Sequence, residues 1–261
     1  MGIAIRLPAI LIGIVTGAVT SLMGGSAVMI VVPVLTLAFG LDTHTAIGTS
    51  LFVDVITSLV VAWFYERHGH VRLKPGLWIA GASVLGAQLG VQVASSIGER
   101  GLSSSFSLFA VGMGALMFAK AVQGKGFALT GLKGLQPKEG WPRRIACVLT
   151  GFVIGVISGV FGAGGGIMIL IALVVILSFS LHDAVGTSTL IMAVTAFSST
   201  VGYGARGYVD FVMGGFLTVG AVVGAVLGSR FANRIDERGL RFVVGGLLVL
   251  IGLAMFFLKK R

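Results

Sequence analysis

Two polar blocks interrupt otherwise apolar sequence: Ala46-Ile47-Gly48-Thr49-Ser50 and Ala184-Val185-Gly186-Thr187-Ser188. The hydroxyls of Thr49, Ser50, Thr187 and Ser188 can replace the hydration shell of an oxyanion, or they can back-bond to helix carbonyls and bridge helices. Two glycine-rich runs accompany them, Gly162-Ala163-Gly164-Gly165-Gly166 and the weaker Gly24-Gly25-Ser26-Ala27-Val28. Consecutive glycines hold a lipid-facing helix poorly, because glycine is entropically costly to order and has no side chain to pack. Each run therefore reads as a break between two short helices, buried in protein or lining a cavity. The first amides of the helix after a break carry the positive end of its dipole and suit an anion. The expected substrate-binding set is Gly24, Gly25, Ser26, Thr49, Ser50, Gly162, Gly164, Gly165, Gly166, Thr187 and Ser188. No Lys or Arg falls mid-way along an apolar segment, so a negative substrate there must be met by amides, dipoles and hydroxyls.

Asp54, His44 and His182 are the candidates for proton coupling. Asp54 lies ten residues past His44, roughly 15 Å along a helix and so near mid-depth of a ~30 Å hydrocarbon core. A carboxylate there is a functional hypothesis by default, the alternative being a protonated or hydrogen-bonded structural acid. Imidazoles titrate near neutral pH, and the two histidines also suit interfacial positions. Asp42, Thr43 and Ser180 are placed to cap the helices that follow. Gln88 and Gln92 form an i, i+4 pair that either lines a path or bonds another helix. Arg67, Arg72 and Lys74 read as headgroup and topology charges.

The composition says what must position these groups. The chain has 261 residues, 56% hydrophobic and only 11% charged, with mean hydropathy +1.04. Soluble domains carry about 25% charged residues, so the fold class expected is all-α and polytopic in the membrane. The apolar run after Met1–Arg6 reads as retained, not as a cleavable signal. A single cysteine, Cys147, excludes an intrachain disulfide and a thiolate metal site. The formal charge of +10 sits in loops, which points to topology and anionic lipid headgroups as partners, not to nucleic acid. No cofactor and no metal is expected.

Apolar stretches run near 7–22, 28–40, 44–65, 73–97 and 101–119, then 145–161, 167–179, 183–202, 209–231 and 240–258. A cationic, glycine-rich linker separates them, giving a first repeat (1–119), a cytoplasmic linker (120–144) and a second repeat (145–261). Shifting the chain by 138 residues aligns 11–102 with 149–240 and gives 27 identities in 92 pairs, without a gap. His44 falls on His182 and Glu99-Arg100-Gly101-Leu102 on Glu237-Arg238-Gly239-Leu240, while Asp54 falls on Met192. If each broken segment crosses once, about eight transmembrane helices form two four-helix repeats, and Lys plus Arg divide 14 inside to 5 outside. If each broken segment returns, there are three crossings per half, the repeats are inverted, and the division is 13 to 6. Charge alone does not choose between them.

With the duplicated break and the two Gly-Thr-Ser blocks, the chain resembles the TauE/SafE sulfite exporter family, also called the 4-toluene sulfonate uptake permease family. Pro33 fits the family's Val-Pro after the glycine motif, whereas Ile171 stands where the second half would have its proline. The resemblance implies duplicated four-helix units and transport, often export, of small anions such as sulfite, thiosulfate, organosulfonates or related organic anions. It implies an inner (plasma) membrane location, with protons and lipids as further partners and a homodimer as an option. Ser158-Gly159 and His182 superficially suggest a serine protease dyad, but Ser158 pairs with Thr20 in the repeat, and neither an HExxH motif nor a nucleotide-binding loop occurs. A transporter is therefore favoured over an enzyme, with a passive anion channel or a membrane scaffold as the alternative.

Overall fold

The computed structural model describes residues 3–23, 26, 28–122, 140–162, 165–231 and 237–258. The linker from 123 to 139, Gly24, Gly25 and Gly164 lie outside the described residues. Ten helices and no strand occur among those described: α1 (Ile3–Met23), α2 (Val28–Ala38), α3 (Thr43–Arg67), α4 (Leu73–Ser96), α5 (Glu99–Val122), α6 (Trp141–Phe161), α7 (Gly165–Leu177), α8 (Leu181–Gly204), α9 (Phe211–Phe231) and α10 (Glu237–Leu258). Among the described residues, five segments are long and apolar enough to cross a membrane: α3, Gly76–Ser96, α6, Asp183–Gly204 and Phe211–Ser229. Shorter apolar helices include Val28–Ala38 and Gly165–Leu177.

The helix boundaries follow local chemistry. Asp42 caps α3 by accepting from the Thr45 amide at 2.9 Å, and Ser180 caps α8 by accepting from the Asp183 amide at 3.2 Å. Pro142 sits in the first turn of α6, where its missing amide does no harm. Helices α1, α3, α4 and α5 begin at residues 3, 43, 73 and 99, and α6, α8, α9 and α10 begin at 141, 181, 211 and 237. Each pair differs by the offset read from the sequence.

Counterpart helices run antiparallel. The start of α3 meets the end of α8, where Gly48 lies against Tyr203 and the Tyr208 carbonyl. The start of α8 meets the end of α3, where Gly186 lies against Tyr65 and the His70 carbonyl. Likewise Gly114 of α5 faces Gly245 and Leu248 of α10, while Gly252 faces Val111 and Ser107. The halves are thus related by inversion. Within the second half, the Arg143 side chain at the start of α6 donates through Nε to the Ile176 carbonyl near the end of α7, at 3.0 Å. Helix α7 therefore comes back beside α6, which is the returning arrangement and not the single crossing behind the expected count of about eight.

Two parallel pairs join the halves. Along α1 and α9, Ile10 meets Gly220 and Ile14 meets Gly224; along α4 and α6, Ile79 meets Gly151, Ser83 meets Gly155 and Ala87 meets Gly159. At these glycines a Cβ would overlap a backbone carbonyl of the other helix, so glycine sets the interaxial distance. Close approach of this kind is how membrane helices gain dispersion contacts where lipid removes most of the hydrophobic drive. Large apolar side chains such as Leu85, Leu108, Phe197 and Leu250 remain exposed on the outside, the arrangement a lipid-facing surface requires.

Gly155→Ala should cost about 1–3 kcal/mol through overpacking, visible as a lower thermal midpoint in detergent. Gly112 has open space beside it, so Gly112→Ala should be neutral or stabilise by up to ~1 kcal/mol through helix propensity. Equal losses at both positions would mean that the α4–α6 contact is not glycine-limited.

Candidate functional site

The two breaks meet. Helix α1 ends at Met23 and α2 starts at Val28, with Ser26 between them. The Ser26 hydroxyl accepts from the Val28 amide at 3.2 Å and hydrogen-bonds the Asp54 carboxyl on α3. Helix α6 ends at Gly162, a left-handed cap with φ of 66° whose amide donates to the Ser158 carbonyl at 2.7 Å. That conformation favours glycine, and so does the space around it. A Cβ on Gly162 would stand 3.0 Å from both Ile47 Cγ2 and Val28 Cγ1, tighter than ordinary contact. The second break is thereby seated on the first turn of α2 and on α3. Gly165 and Gly166 open α7 and are buried, with Ser158 Oγ 3.2 Å from the place a Gly165 Cβ would take.

Ile47, Leu51, Asp54 and Ser58 succeed one another on one face of α3, at the spacing of a single helical stripe. The first two touch Gly162, and the third bonds Ser26. Asp54 is 4% exposed and Ser58 fully buried, and the Ser58 hydroxyl has no hydrogen-bond partner among the described residues. An orphaned buried hydroxyl costs about 1–3 kcal/mol, so Ser58 stands as an uncommitted donor one turn from the acid. In the second half the same positions are Met192 and Ala196. The polar stripe belongs to one repeat. Ser58 escaped the sequence reading because nothing marks one serine among many until its partners are counted.

The other expected residues are placed elsewhere. Thr49 Oγ1 accepts from the Asp210 amide at 2.9 Å, and Thr187 Oγ1 accepts from the Arg72 amide at 3.0 Å. Ser50 donates to the Ala46 carbonyl at 2.6 Å and Ser188 to the Val185 carbonyl at 3.0 Å. Because α3 and α8 are antiparallel, the two Thr-Ser pairs stand at opposite ends of this helix pair, on the order of 20 Å apart at 1.5 Å rise per residue. One small anion reaches one pair at a time. The structure brings Ser26 to Asp54 and seats Gly162 on Val28, Ile47 and Leu51. It does not bring the four hydroxyl residues to one point.

His44 is clasped at one end of the bundle. Its Nδ1 faces Glu99 Oε2 at 3.2 Å, its Nε2 faces the Ala94 carbonyl at 3.0 Å, and its ring stacks on Tyr208 at 5.0 Å. Glu99 also accepts from the amide and hydroxyl of Thr43, at 2.7 and 2.6 Å. Both ring nitrogens meet acceptors, so complete hydrogen bonding needs a proton on each, or one shared with Glu99. Asp42, His44 and Glu99 offer ligand atoms within 4.8 Å of one another, yet Asp42 is engaged as a cap and the other two with each other. Glu99 was legible in hindsight, since His44 and Glu99 are both duplicated in step. The side chain of His182 lies outside the described residues.

At the opposite end Arg72 and His70 hold Asp183, with Arg72 Nε 2.9 Å from Oδ2 and His70 Nδ1 3.2 Å from Oδ1. Arg72, read as a headgroup charge, is therefore an ion-pair partner. Gln88 bonds helix α8, donating to the Ser198 carbonyl at 2.6 Å. Tyr203, which also escaped the sequence reading, donates its phenol hydrogen to the Gly159 carbonyl at 3.0 Å and so ties α8 to the last turn of α6 before the break. Its mark was its match to Tyr65 in the repeat.

The family model for the sulfite exporter TauE/SafE matches residues 9–255. The probable membrane transporter protein YdhB of Bacillus subtilis (strain 168) is 29% identical over 253 residues, covering 95% of this chain and 99% of that protein. YunE of the same organism, also named a probable membrane transporter protein, is 25% identical over 262 residues, covering 95% and 96%. A probable membrane transporter protein of Xylella fastidiosa (strain Temecula1) is 28% identical over 245 residues, covering 91% and 89%. No solved structure matches the chain. A discontinuous, glycine-broken helical membrane bundle matched from end to end by one transporter model has one reading: the chain belongs to the sulfite exporter TauE/SafE family.

Proposed function

We propose that the chain is a proton-coupled secondary transporter that exports small oxyanions such as sulfite, thiosulfate or organosulfonates across the inner membrane. The observation that carries this is the meeting of the two breaks beside Asp54. Amides at the start of α7 and the Ser58 hydroxyl supply short donors and no full positive charge. Such donors favour a compact oxyanion. An anion beside a carboxylate is repelled unless the acid carries a proton, so proton and anion occupancy are linked. An inside-negative potential favours anion exit by about 2.3 kcal/mol per charge for each 100 mV, consistent with an exporter.

Inversion, taken with the positive-inside rule, supports one insertion of the chain. Each half makes three crossings with a returning broken hairpin before them, and the six exported cations lie with the starts of α3, α5 and α9. The 13 remaining cations, including Arg67, Arg72, Arg143, Arg144 and the linker, then face the cytoplasm. Residues 1–119 and 145–261 form the two repeats and 120–144 the cytoplasmic linker.

Asp54→Asn should abolish sulfite flux driven by a pH gradient in proteoliposomes while sparing sulfite counterflow, because the amide keeps the polar contact with Ser26 but carries no titratable proton. Loss of both, with the protein folded, would assign Asp54 to structure. Flux unchanged in both assays would remove it from coupling altogether.

Orientation is read by labelling in intact cells on a Cys147→Ala background. Ala205→Cys should react with an impermeant maleimide from outside, and His68→Cys only after permeabilisation. The reverse pattern would invert the insertion, and equal labelling of both would break the antiparallel relation of the halves.

A further inference from the structure

A cleft of about 660 Å³ opens beside the α7–α8 turn, away from the breaks. Arg72, Arg143, Arg144, Ser178 and Asp183 line it, with Trp78 as one wall. Three guanidinium groups and one carboxylate line the cleft, and Arg72 pairs with that carboxylate. Their positions are set in advance: Arg72 by Asp183 at 2.9 Å, Arg143 by the Ile176 carbonyl at 3.0 Å, and Arg144 by the rings of Trp78 and Trp141 at 5.7 and 5.8 Å. Guanidinium forks held in this way suit planar or tetrahedral oxyanions.

The backbone gives a second, independent sign. Ser178 adopts φ of 55°, a left-handed conformation, at the end of α7. Its counterpart in the first half is Gly40, at φ of 70°, and both turns close with the same bond, Phe179 N–H to the Leu173 carbonyl at 3.3 Å and Leu41 N–H to the Leu35 carbonyl at 3.1 Å. The turn needs the residue type that glycine supplies, and a serine there costs about 1–2 kcal/mol. The half that carries the cleft has a hydroxyl at that strained position where the other half has glycine. Across the pseudo-twofold axis, Arg72 and Arg143 are replaced by Asp210 and Ile5. Arg144 falls on Arg6, so two of the three cations of the cleft have no like counterpart in the first half.

We propose that this cleft is a second anion site, which collects small oxyanions on the cytoplasmic face before they reach the breaks. Its service as an antechamber rests on the transporter reading above; its binding of an anion does not. Arg144 and the Ser178 hydroxyl contact the anion, and Arg72 and Arg143 supply the surrounding positive field.

The test uses the full chain in neutral detergent, with sulfate and methanesulfonate as probes, chloride as the control anion, and calorimetric titration plus thermal midpoint as readouts. Arg144→Gln should weaken sulfate binding roughly tenfold or more. Ser178→Gly should raise the anion-free midpoint, since strain is relieved, yet shrink the rise that sulfate produces. Asp54→Asn should leave this sulfate binding in place. Unchanged sulfate affinity in both Arg144→Gln and Ser178→Gly overturns the site, and so does a wild-type protein that sulfate neither binds nor stabilises. Nanodiscs separate free anion from lipid headgroup: stabilisation by phosphatidylglycerol over phosphatidylcholine, with no response to sulfate, overturns the assignment to a soluble oxyanion. Sulfate binding that survives in a protein with no measurable transport would retire the antechamber role and the transporter reading while leaving the site itself standing.

Discussion

Two hydroxyls hold the halves in register. Thr49 on α3 accepts the amide that opens the approach to α9, and Thr187 on α8 accepts the equivalent amide before α4. Each bond is made by one repeat to the other, and each sits beside a glycine with no room for a side chain, Gly48 or Gly186. A helix start has amides without an intrahelical partner, and leaving one unpaired within the packed ends of the bundle costs about as much as losing a hydrogen bond. The Gly-Thr dipeptide meets both requirements at once: glycine lets the loop backbone come close, and threonine supplies the acceptor. Everything between these two ends, including the α3 stripe that carries Asp54, is fixed in height by them.

That reciprocal closure explains why so much of the chain was legible before any coordinates. Helix starts followed the 138-residue offset because duplication preserved caps and glycines together, as Asp42 and Ser180 show. The breaks were legible because consecutive glycines mean little else at such depth. The direction of each helix was not. Cation counts of 14 to 5 and 13 to 6 are the same number for practical purposes, and only the meeting of Gly48 with the end of α8 decides it. The Thr-Ser pairs were read as neighbours around one ligand because a repeat suggests two like groups facing each other. In an inverted pair the like groups go to opposite ends, and what faces across the middle is unlike.

The candidate site follows from that same geometry. Near the centre, α3 presents Asp54 and Ser58, while α8 has Met192 and Ala196 at the equivalent positions. Buried polar groups of this kind are costly in proportion to how poorly they are paired. Selection for stability alone would favour the apolar version already present in the other repeat, which shows that the frame accepts it. The acid and the orphaned hydroxyl are thus a cost that the other repeat does not carry.

Inversion also constrains how a symmetric frame can do directional work. If the halves were identical, exchanging their conformations would turn an inward-open state into an outward-open state of equal free energy, and no face would be distinguished. Any preference must come from residues that break the repeat. These fall in three places: Asp54 against Met192 at the centre, Tyr208 stacked on the His44 ring at one end, and its counterpart His70 with Arg72 and Asp183 at the other. The first can link a proton to an anion. The other two hold opposite ends of the α3–α8 pair with pairs of unlike chemistry, so that opening either end breaks a different set of bonds. In a transporter, such unequal ends set which face opens more readily, and hence the face from which a substrate is more often taken.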